Sequence, residues 1–220
     1  MDALRVIIHT NDNYSPESEY AHKYGGSPTF MDELPLCDVC KVPLTLIFQF
    51  DLADPKLSFL QLEKLKYLPI LSCISCDLSY VGQLMYRFDN TSIQVLSSDA
   101  VQSFGDFSED CPERKITLEP IPSDQLLEDY SSYEEWQKHM SKIDIPKHQL
   151  GGNPYWVQND VHLSCPECGA EMRFLGQVDS HVWFTDEPLM AFGHEFGDMG
   201  ILYIHYCDNC NILSTGADCY

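Results

Sequence analysis

The chain has 220 residues, of which 44% are hydrophobic and 12% aromatic, so it can build an ordinary core and is not expected to be disordered. Its 34 acidic residues outnumber 13 basic ones, and the formal net charge of −21 disfavours binding to nucleic acid phosphates or anionic membranes. The sequence also lacks an apolar run near the roughly 18 residues of a membrane helix, and residues 6–8 are too short a run for a signal peptide. We therefore expect a cytoplasmic protein, whose acidity either attracts basic proteins or only confers solubility.

Four landmarks recur in the same order in the two halves of the chain. They are a Gly-Gly-x-Pro run, a Cys-x-x-Cys pair, an apolar segment ending in Gln-x-Asp, and a second Cys-x-x-Cys pair. In the first half they are Gly25-Gly26-Ser27-Pro28, Cys37/Cys40, Gln49/Asp51 and Cys73/Cys76. In the second half they are Gly151-Gly152-Asn153-Pro154, Cys165/Cys168, Gln177/Asp179 and Cys207/Cys210. The shared order indicates an internal duplication and predicts two equivalent modules in a pseudo-twofold arrangement.

Short runs of β-branched or aromatic residues, bounded by turn residues, predict strands. In chain order these are residues 44–50, 92–96, 172–175, 181–184 and 201–206. Between the halves the sequence is acidic and interrupted by prolines. Residues 123–142 of this part have the pattern of one amphipathic helix, which Ser123 could cap and Pro146 would end.

The predicted fold class is α+β, with duplicated, mostly antiparallel, β-rich modules and a few helices. The predicted domains are a first module at residues 1–105, an acidic linker with one helix at 106–147, and a second module at 148–220. We expect the two modules to pack as one compact unit, with zinc knuckles in each.

Eight of the ten cysteines form the four Cys-x-x-Cys pairs. Disulfide scaffolds are mostly short and secreted, so paired thiols in this chain favour metal ligands. Cys111 and Cys219 are left over and are predicted to be spare thiols on a loop and on the tail.

A Cys-x-x-Cys loop places two thiolates on one zinc ion, and a second such loop completes a tetrahedron. The pairs are separated by 32 residues in the first half and by 38 in the second, which leaves room for two or three strands. A redox site would instead require a Cys-x-x-Cys that opens a helix, whereas Gly169 after Cys168 suits a turn with a positive φ. We predict two structural zinc ions, with pairing either within each half or crossed between them.

Other groups have a catalytic or binding interpretation and a structural one. His194 and Glu195 resemble part of a metalloprotease motif, but position 198 is Asp where that motif requires His. His162, His181 and His205 could join His194 at a metal, or lie in the core or on the surface. Gln49/Asp51 and Gln177/Asp179 could line two pockets, or satisfy backbone groups and cap turns. Trp156, Trp183 and Phe184 could form a binding platform, or belong to the core. We predict no catalytic residues.

The two Gly-Gly-x-Pro runs, the segment from Pro43-Leu44 to Gln49-Phe50-Asp51, Gln158 after the second run, and the late run Gly197-Asp198-Met199-Gly200-Ile201-Leu202-Tyr203 together resemble the YwqG-like family, bacterial proteins classed as a domain of unknown function. The likeness covers nearly the whole chain. The full set of four knuckles departs from that family's pattern and is similar to programmed cell death protein 2, a eukaryotic relative. The resemblance implies a duplicated β-rich fold and no known enzyme activity.

Relatives in that family suggest two binding roles, an immunity protein against a bacterial toxin and a chaperone of a basic ribosomal protein. We therefore expect a non-enzymatic, zinc-stabilised protein that masks a basic partner, most of all a toxin domain. The alternatives are a ribosomal-protein chaperone and an enzyme with a site between the modules, for which His194, Glu195 and Asp198 are the candidates. A structural subunit of a larger assembly is a further interpretation.

Overall fold

The computed structural model of the protein describes residues 3–9, 19–62, 64–76, 83–98, 111–126, 148–158, 160–180, 196 and 200–219. This part of the chain forms a sheet of twelve strands. In chain order they are β1 (Ala3–Ile8), β2 (Lys23–Tyr24), β3 (Thr45–Asp51), β4 (Tyr67–Ser72), β5 (Gln83–Phe88), β6 (Ile93–Ser98), β7 (Arg114–Pro120), β8 (Gln149–Gly151), β9 (Leu163–Ser164), β10 (Glu171–Asp179), β11 (Gly200–Cys207) and β12 (Ile212–Cys219). All their pairings are antiparallel, which confirms the predicted mostly antiparallel β architecture.

Four of the five predicted strands are confirmed with small shifts of their ends, as β3, β6, β10 and β11. The fifth, at residues 181–184, lies outside the described residues. Strand β7 falls within the segment predicted as a linker, and its buried Ile116 and Leu118 alternate with more exposed neighbours as in a half-buried strand.

Helical structure in the described ranges is limited to two 3₁₀ turns, Pro55–Leu60 and Ser123–Gln125. The predicted cap by Ser123 is wrong, because Pro122 precedes the second turn and no side chain caps it. The rest of the predicted helix, residues 127–142, lies outside the described residues. The described chain also has no helix with the length and apolarity needed to cross a membrane.

Strands β1 and β7 lie in the middle of the sheet, each beside a strand that is not its neighbour in the sequence. The strand order is β4-β3-β2-β7-β1-β8-β10-β11-β12-β5-β6, with β9 paired to β10 beside this path. Strand β1 therefore lies between β7 and β8, although β2 follows it in the chain. Strand β7 likewise lies between β1 and β2. Strands β1 and β7 pair with each other, and Ile7 lies opposite Thr117 near the middle of that pair.

The pairings on the two sides of β1 and β7 correspond residue by residue. Tyr24 opposite Arg114 on one side matches Leu150 opposite Leu4 on the other. Strands β3–β4 and β10–β11 keep the same register, and each pair has a bulge at the same place, at Ile47 in β3 and at Leu175 in β10. Matching residues pair in the same way in the two halves, as Lys23↔Gln49 with Gln149↔Gln177, Gln49↔Pro69 with Gln177↔Tyr203, and Asp51↔Tyr67 with Asp179↔Ile201.

One continuous hydrophobic core contains residues from both halves, including Leu4, Phe48, Tyr86, Leu175 and Leu213. Side chains from the far end of the sheet satisfy the edge strand β4. The hydroxyl of Tyr86 in β5 donates to Pro69 O and accepts from Leu71 N, each at 2.9 Å, and Thr215 Oγ1 in β12 donates to Leu71 O at 2.9 Å. The sheet therefore curls into a half-barrel whose two ends are joined by side chains.

We expect Tyr86→Phe to lower the free energy of unfolding by about 1–3 kcal/mol, because it leaves the buried Leu71 N–H and Pro69 carbonyl without the hydroxyl. Urea denaturation of both proteins measures the difference. Tyr67→Phe, at a partly buried tyrosine of the same edge strand, is the control and should change stability by less than half as much. Equal effects of the two substitutions would show that the Tyr86 hydroxyl does not join the ends of the sheet.

Candidate metal centres

The first cysteine cluster joins the loop before β3 to the end of β4. Its members are Cys37, Cys40, Cys73 and Cys76, whose Sγ atoms all lie within 4.8 Å of one another. The loop is closed by two backbone bonds, from Cys37 N to Val42 O at 2.8 Å and from Lys41 N to Cys37 O at 3.1 Å. Lys41 takes a φ of +64°, which turns the chain after the second cysteine.

The second cluster is built in the same way between the loop before β10 and the end of β11. Its members are Cys165, Cys168, Cys207 and Cys210, again with all Sγ atoms within 4.8 Å. The loop bonds run from Cys165 N to Ala170 O at 2.8 Å and from Gly169 N to Cys165 O at 3.0 Å. Gly169 has a φ of +69°, as the sequence predicted. The clusters thus form within each half and are not crossed between them.

The distances between the sulfur atoms suit a tetrahedral ion. A zinc ion with Zn–S bonds of about 2.3 Å has S···S edges of about 3.8 Å. The Sγ atoms are separated by 3.8 Å in Cys37–Cys76, 3.5 Å in Cys40–Cys73 and 3.6 Å in Cys168–Cys207. These distances also rule out disulfides, and all ten cysteines are free thiols.

Against the opposing effect of burial, hydrogen bonds to the sulfur lower the pKa of one thiol in each cluster, Cys37 in the first and Cys168, to about 7, in the second. Ionising all four neighbouring thiols is nevertheless unfavourable without a cation. Burial raises the pKa of Cys73, and burial with neighbouring thiols raises the pKa of Cys76 to about 12. The pKa of Cys207 is raised by burial, and that of Cys210 rises to about 12 for the same reasons as Cys76. A bound divalent cation reverses this balance because it stabilises the thiolates. Both clusters can therefore hold a metal ion, with all four ligands supplied by the chain.

The recurring glutamine and aspartate of the first half have structural contacts. Gln49 Oε1 accepts from Thr29 N at 2.7 Å, and Gln49 Nε2 donates to Thr29 Oγ1 at 2.6 Å. Asp51 accepts from Ala53 N at 3.1 Å and so caps the next turn. Gln177 accepts from Tyr155 N at 2.8 Å in the second half, the position matching Thr29. The side chains tie the segment after each Gly-Gly turn to the central strand of its half.

Two histidines at matching positions were missed by the sequence analysis. His22 Nδ1 accepts from Asp51 N at 3.0 Å, and His148 Nδ1 accepts from Asp179 N at 3.3 Å. With Nδ1 accepting, the buried His22 carries its proton on Nε2 and donates to Asp54 Oδ2 at 3.0 Å. His22 lies two residues before Tyr24 and His148 two residues before Leu150, and Tyr24 and Leu150 each directly precede a Gly-Gly run. This repeated spacing could have revealed both histidines.

Of the other candidates, some lie apart from one another in the described chain and the rest lie outside it. His162 is exposed and lies beside Glu171, whereas His205 is buried against Trp156 and Phe174, and burial lowers its pKa to about 4. His181, Trp183, Phe184, His194, Glu195 and Asp198 lie outside the described residues. Cys219 was expected on a tail but is buried at the end of β12, and Cys111 is partly buried against the main core.

Comparisons with known proteins give little about family or function. No protein-family model matches the chain, and no solved structure matches it. A stretch of 67 residues is 36% identical to the uncharacterized protein YpfL of Salmonella typhimurium, covering 30% of this chain and 14% of that protein. The matched part therefore spans only a small fraction of that relative.

We expect the purified chain to bind two metal ions and Cys73→Ser to bind one. Elemental analysis counts the ions. Thermal denaturation should show that the free energy of unfolding of Cys73→Ser is lower than that of the wild type by about 4 kcal/mol or more, as expected when a buried metal site is lost. Cys111→Ser is the control and should retain both ions. A wild-type chain that binds no metal, or a Cys73→Ser chain that keeps two, would contradict the assignment of these ligands.

Burial lowers the pKa of His22, partly offset by its bond to Asp54 and by the charge of Asp51, while Lys56 lowers it further. The unfolded chain therefore takes up this proton first as pH falls below the ordinary histidine value of 6.5. The contribution of His22 to stability is complete above pH 6.5 and is lost below it, with a slope of up to about 1.4 kcal/mol per pH unit.

The variant His22→Gln keeps an amide donor for Asp54 and removes the titrating group. We expect its free energy of unfolding to fall less steeply than that of the wild type as pH decreases from 7 towards 5. Denaturant titrations across this range measure the two slopes. If the slopes are equal, His22 is not held neutral in the folded protein.

Proposed function

We propose that this protein is a non-enzymatic, zinc-stabilised binding protein of the cytoplasm that masks a basic protein partner, most of all a toxin domain that it neutralises as an immunity protein. The observation that carries the proposal is the net charge of −21, which attracts and steers basic partners. Zinc is the ion we propose for both clusters, because four thiolates in a tetrahedron are its usual structural set. Such a site has all its positions filled by the chain and stabilises a scaffold.

We also infer that the chain arose by duplication of one module. The matching strand registers, bulges and cysteine loops support this inference. On this interpretation the two copies have exchanged their first strands, so neither half forms a complete sheet by itself.

The surface around the first cysteine loop is our candidate for the contact with the partner. Leu36 and Val39, 54% and 39% exposed, are the exposed large hydrophobic residues of the described chain. Three exposed carboxylates, Asp32, Glu33 and Asp38, are close to them in sequence. We name these five residues the first-loop surface. Apolar anchors among carboxylates fit a basic partner that buries an apolar side chain of its own.

The second half supplies an internal comparison. Leu36 bridges to Pro43 as Ser164 pairs with Glu171, and Val39 occupies the loop position of Glu167. Ser164 and Glu167 are exposed in the second half. A cysteine loop of this kind therefore folds without apolar residues at these positions, and their presence in the first half favours a binding role over a structural one.

Two interpretations of the partner share this chemistry. A toxin domain would lose its activity in the complex, whereas a ribosomal protein would be kept soluble. The enzyme alternative depends on His194, Glu195 and Asp198, which lie outside the described residues.

We expect native mass spectrometry of the protein, isolated gently at low salt from its own source, to show two zinc ions and a basic protein. The association rate of the purified pair should fall by about tenfold to a hundredfold as salt rises, since steering by charge is screened. An acidic partner, salt-insensitive association or a consistently partner-free protein would refute the proposed role.

The double variant Leu36→Ser, Val39→Glu gives the first loop the residues of the second. It should bind both metal ions and unfold as the wild type does, but dissociate from the partner faster. The control Lys66→Ser changes an exposed residue away from both loops and should leave the complex unchanged. Unchanged dissociation of the double variant would exclude the first-loop surface while leaving the charge-based proposal to the salt experiment.

A further inference from the structure

The two cysteine clusters lie at different depths. Three thiols of the first cluster, Cys37, Cys73 and Cys76, are 0%, 3% and 7% exposed and belong to the main hydrophobic core. The buried thiols of the second cluster, Cys165 and Cys207, belong to a separate small core. The other buried members of this small core are Met172 and Ile212. An opening of the first cluster therefore disturbs the core shared by both halves, whereas the second can open locally.

Matching ligands differ in their access to solvent. Cys40 is partly buried and packs against the main core, whereas Cys168, its counterpart in the second loop, is exposed. Cys76 is buried, whereas its counterpart Cys210 is only partly buried. Both differences have the same direction, so a molecule in solution reaches a sulfur ligand of the second cluster more easily.

The second cluster is also supported by contacts at the surface. Arg87 forms an ion pair with Glu167 between the cysteines of one loop, and Arg87 Nε donates to Cys210 O at 3.4 Å. Arg173 forms a two-pronged pair with Asp208, at 2.9–3.0 Å. Ion pairs that are this exposed contribute little stability, about 0–1 kcal/mol each, and they can open without loss of the core.

We propose that the second cluster exchanges its metal ion with small chelating ligands in solution through Cys168, while the first cluster retains its ion as a permanent part of the fold. In the exchange, a donor atom of the incoming ligand takes the place of the Cys168 thiolate at the ion. The released thiolate stays on the chain or takes a proton from water. The metal keeps its charge, and no electron is transferred. The second cluster is then a site at which the protein can give up or take up zinc.

The test uses the full chain loaded with two zinc ions and treated with EDTA. Native mass spectrometry counts the ions with time, and an alkylating reagent added at each time labels the thiols that have become free. We expect a species with one ion to accumulate before the metal-free one. In that species Cys165, Cys168, Cys207 and Cys210 should be labelled, and the four cysteines of the first cluster protected.

Matched variants separate exchange from folding. Cys168→Ser should bind one ion and keep a melting temperature close to that of the wild type, while Cys40→Ser should melt at a clearly lower temperature. If Cys40→Ser does not fold, the labelling of the wild type still decides the question. Labelling of the first cluster first, simultaneous loss of both ions, or a one-ion species with mixed labelling would each overturn the proposal.

Discussion

The antiparallel pairing of β1 with β7 joins the two halves into one sheet. Each of these strands comes from one half and lies beside a strand of the other, β1 next to β8 and β7 next to β2. If this pairing opened, the strand order would break between β7 and β1, and each of these two strands would become an unpaired edge. The pair also places Val6, Ile116 and Leu118 in the main core, so backbone bonding and apolar burial are lost together if it opens. The two cysteine clusters lie on either side of this central pair, at the ends of β4 and β11, so the pair holds them within one sheet.

At matching positions of the two halves the backbone conformation and its hydrogen bonds are the same, whereas the side chains differ. The residue after each second loop cysteine has a positive φ, which Gly169 adopts freely and Lys41 adopts at some cost in backbone energy. The glutamine of the central strand always accepts from the backbone three residues after the Gly-Gly turn, at Thr29 or at Tyr155. The Thr29 hydroxyl also accepts from Gln49, a contact that the Tyr155 side chain does not repeat for Gln177. Backbone conformation and hydrogen bonding therefore differ less between the two halves than the side chains do.

Local chemistry explains why the cysteine clusters could be predicted and the sheet order could not. A Cys-x-x-Cys loop places its two ligands by short-range geometry, so spacing alone identified all eight cysteines that the structure brings together. The sequence predicts a linker where β7 lies, because the acidic and proline residues around this strand obscure the alternation of Ile116 and Leu118. The pairing of β5 with β12 joins residues more than a hundred positions apart, and neither segment has a pattern that selects the other. The roles of His22 and His148 depend on the same long-range assembly, since each bonds to a backbone N–H about thirty residues away.

The differences between the two cysteine loops suit two different roles. A surface that binds a partner gains affinity when its anchors are held rigid before binding, because less conformational entropy is lost. Leu36 precedes and Val39 lies within a loop whose Cys37 belongs to the main core and whose Cys40 packs against it, so the proposed contact surface is anchored to that core. A site that exchanges its ion needs a ligand that solvent can reach and a neighbourhood that can open cheaply, and Cys168 and the small second core have these properties. The separation would also protect the proposed contact surface, since loss of an ion from the second cluster would leave the core under the first loop intact. Duplication of one module, as inferred here, would allow one copy to specialise in rigidity and the other in exchange.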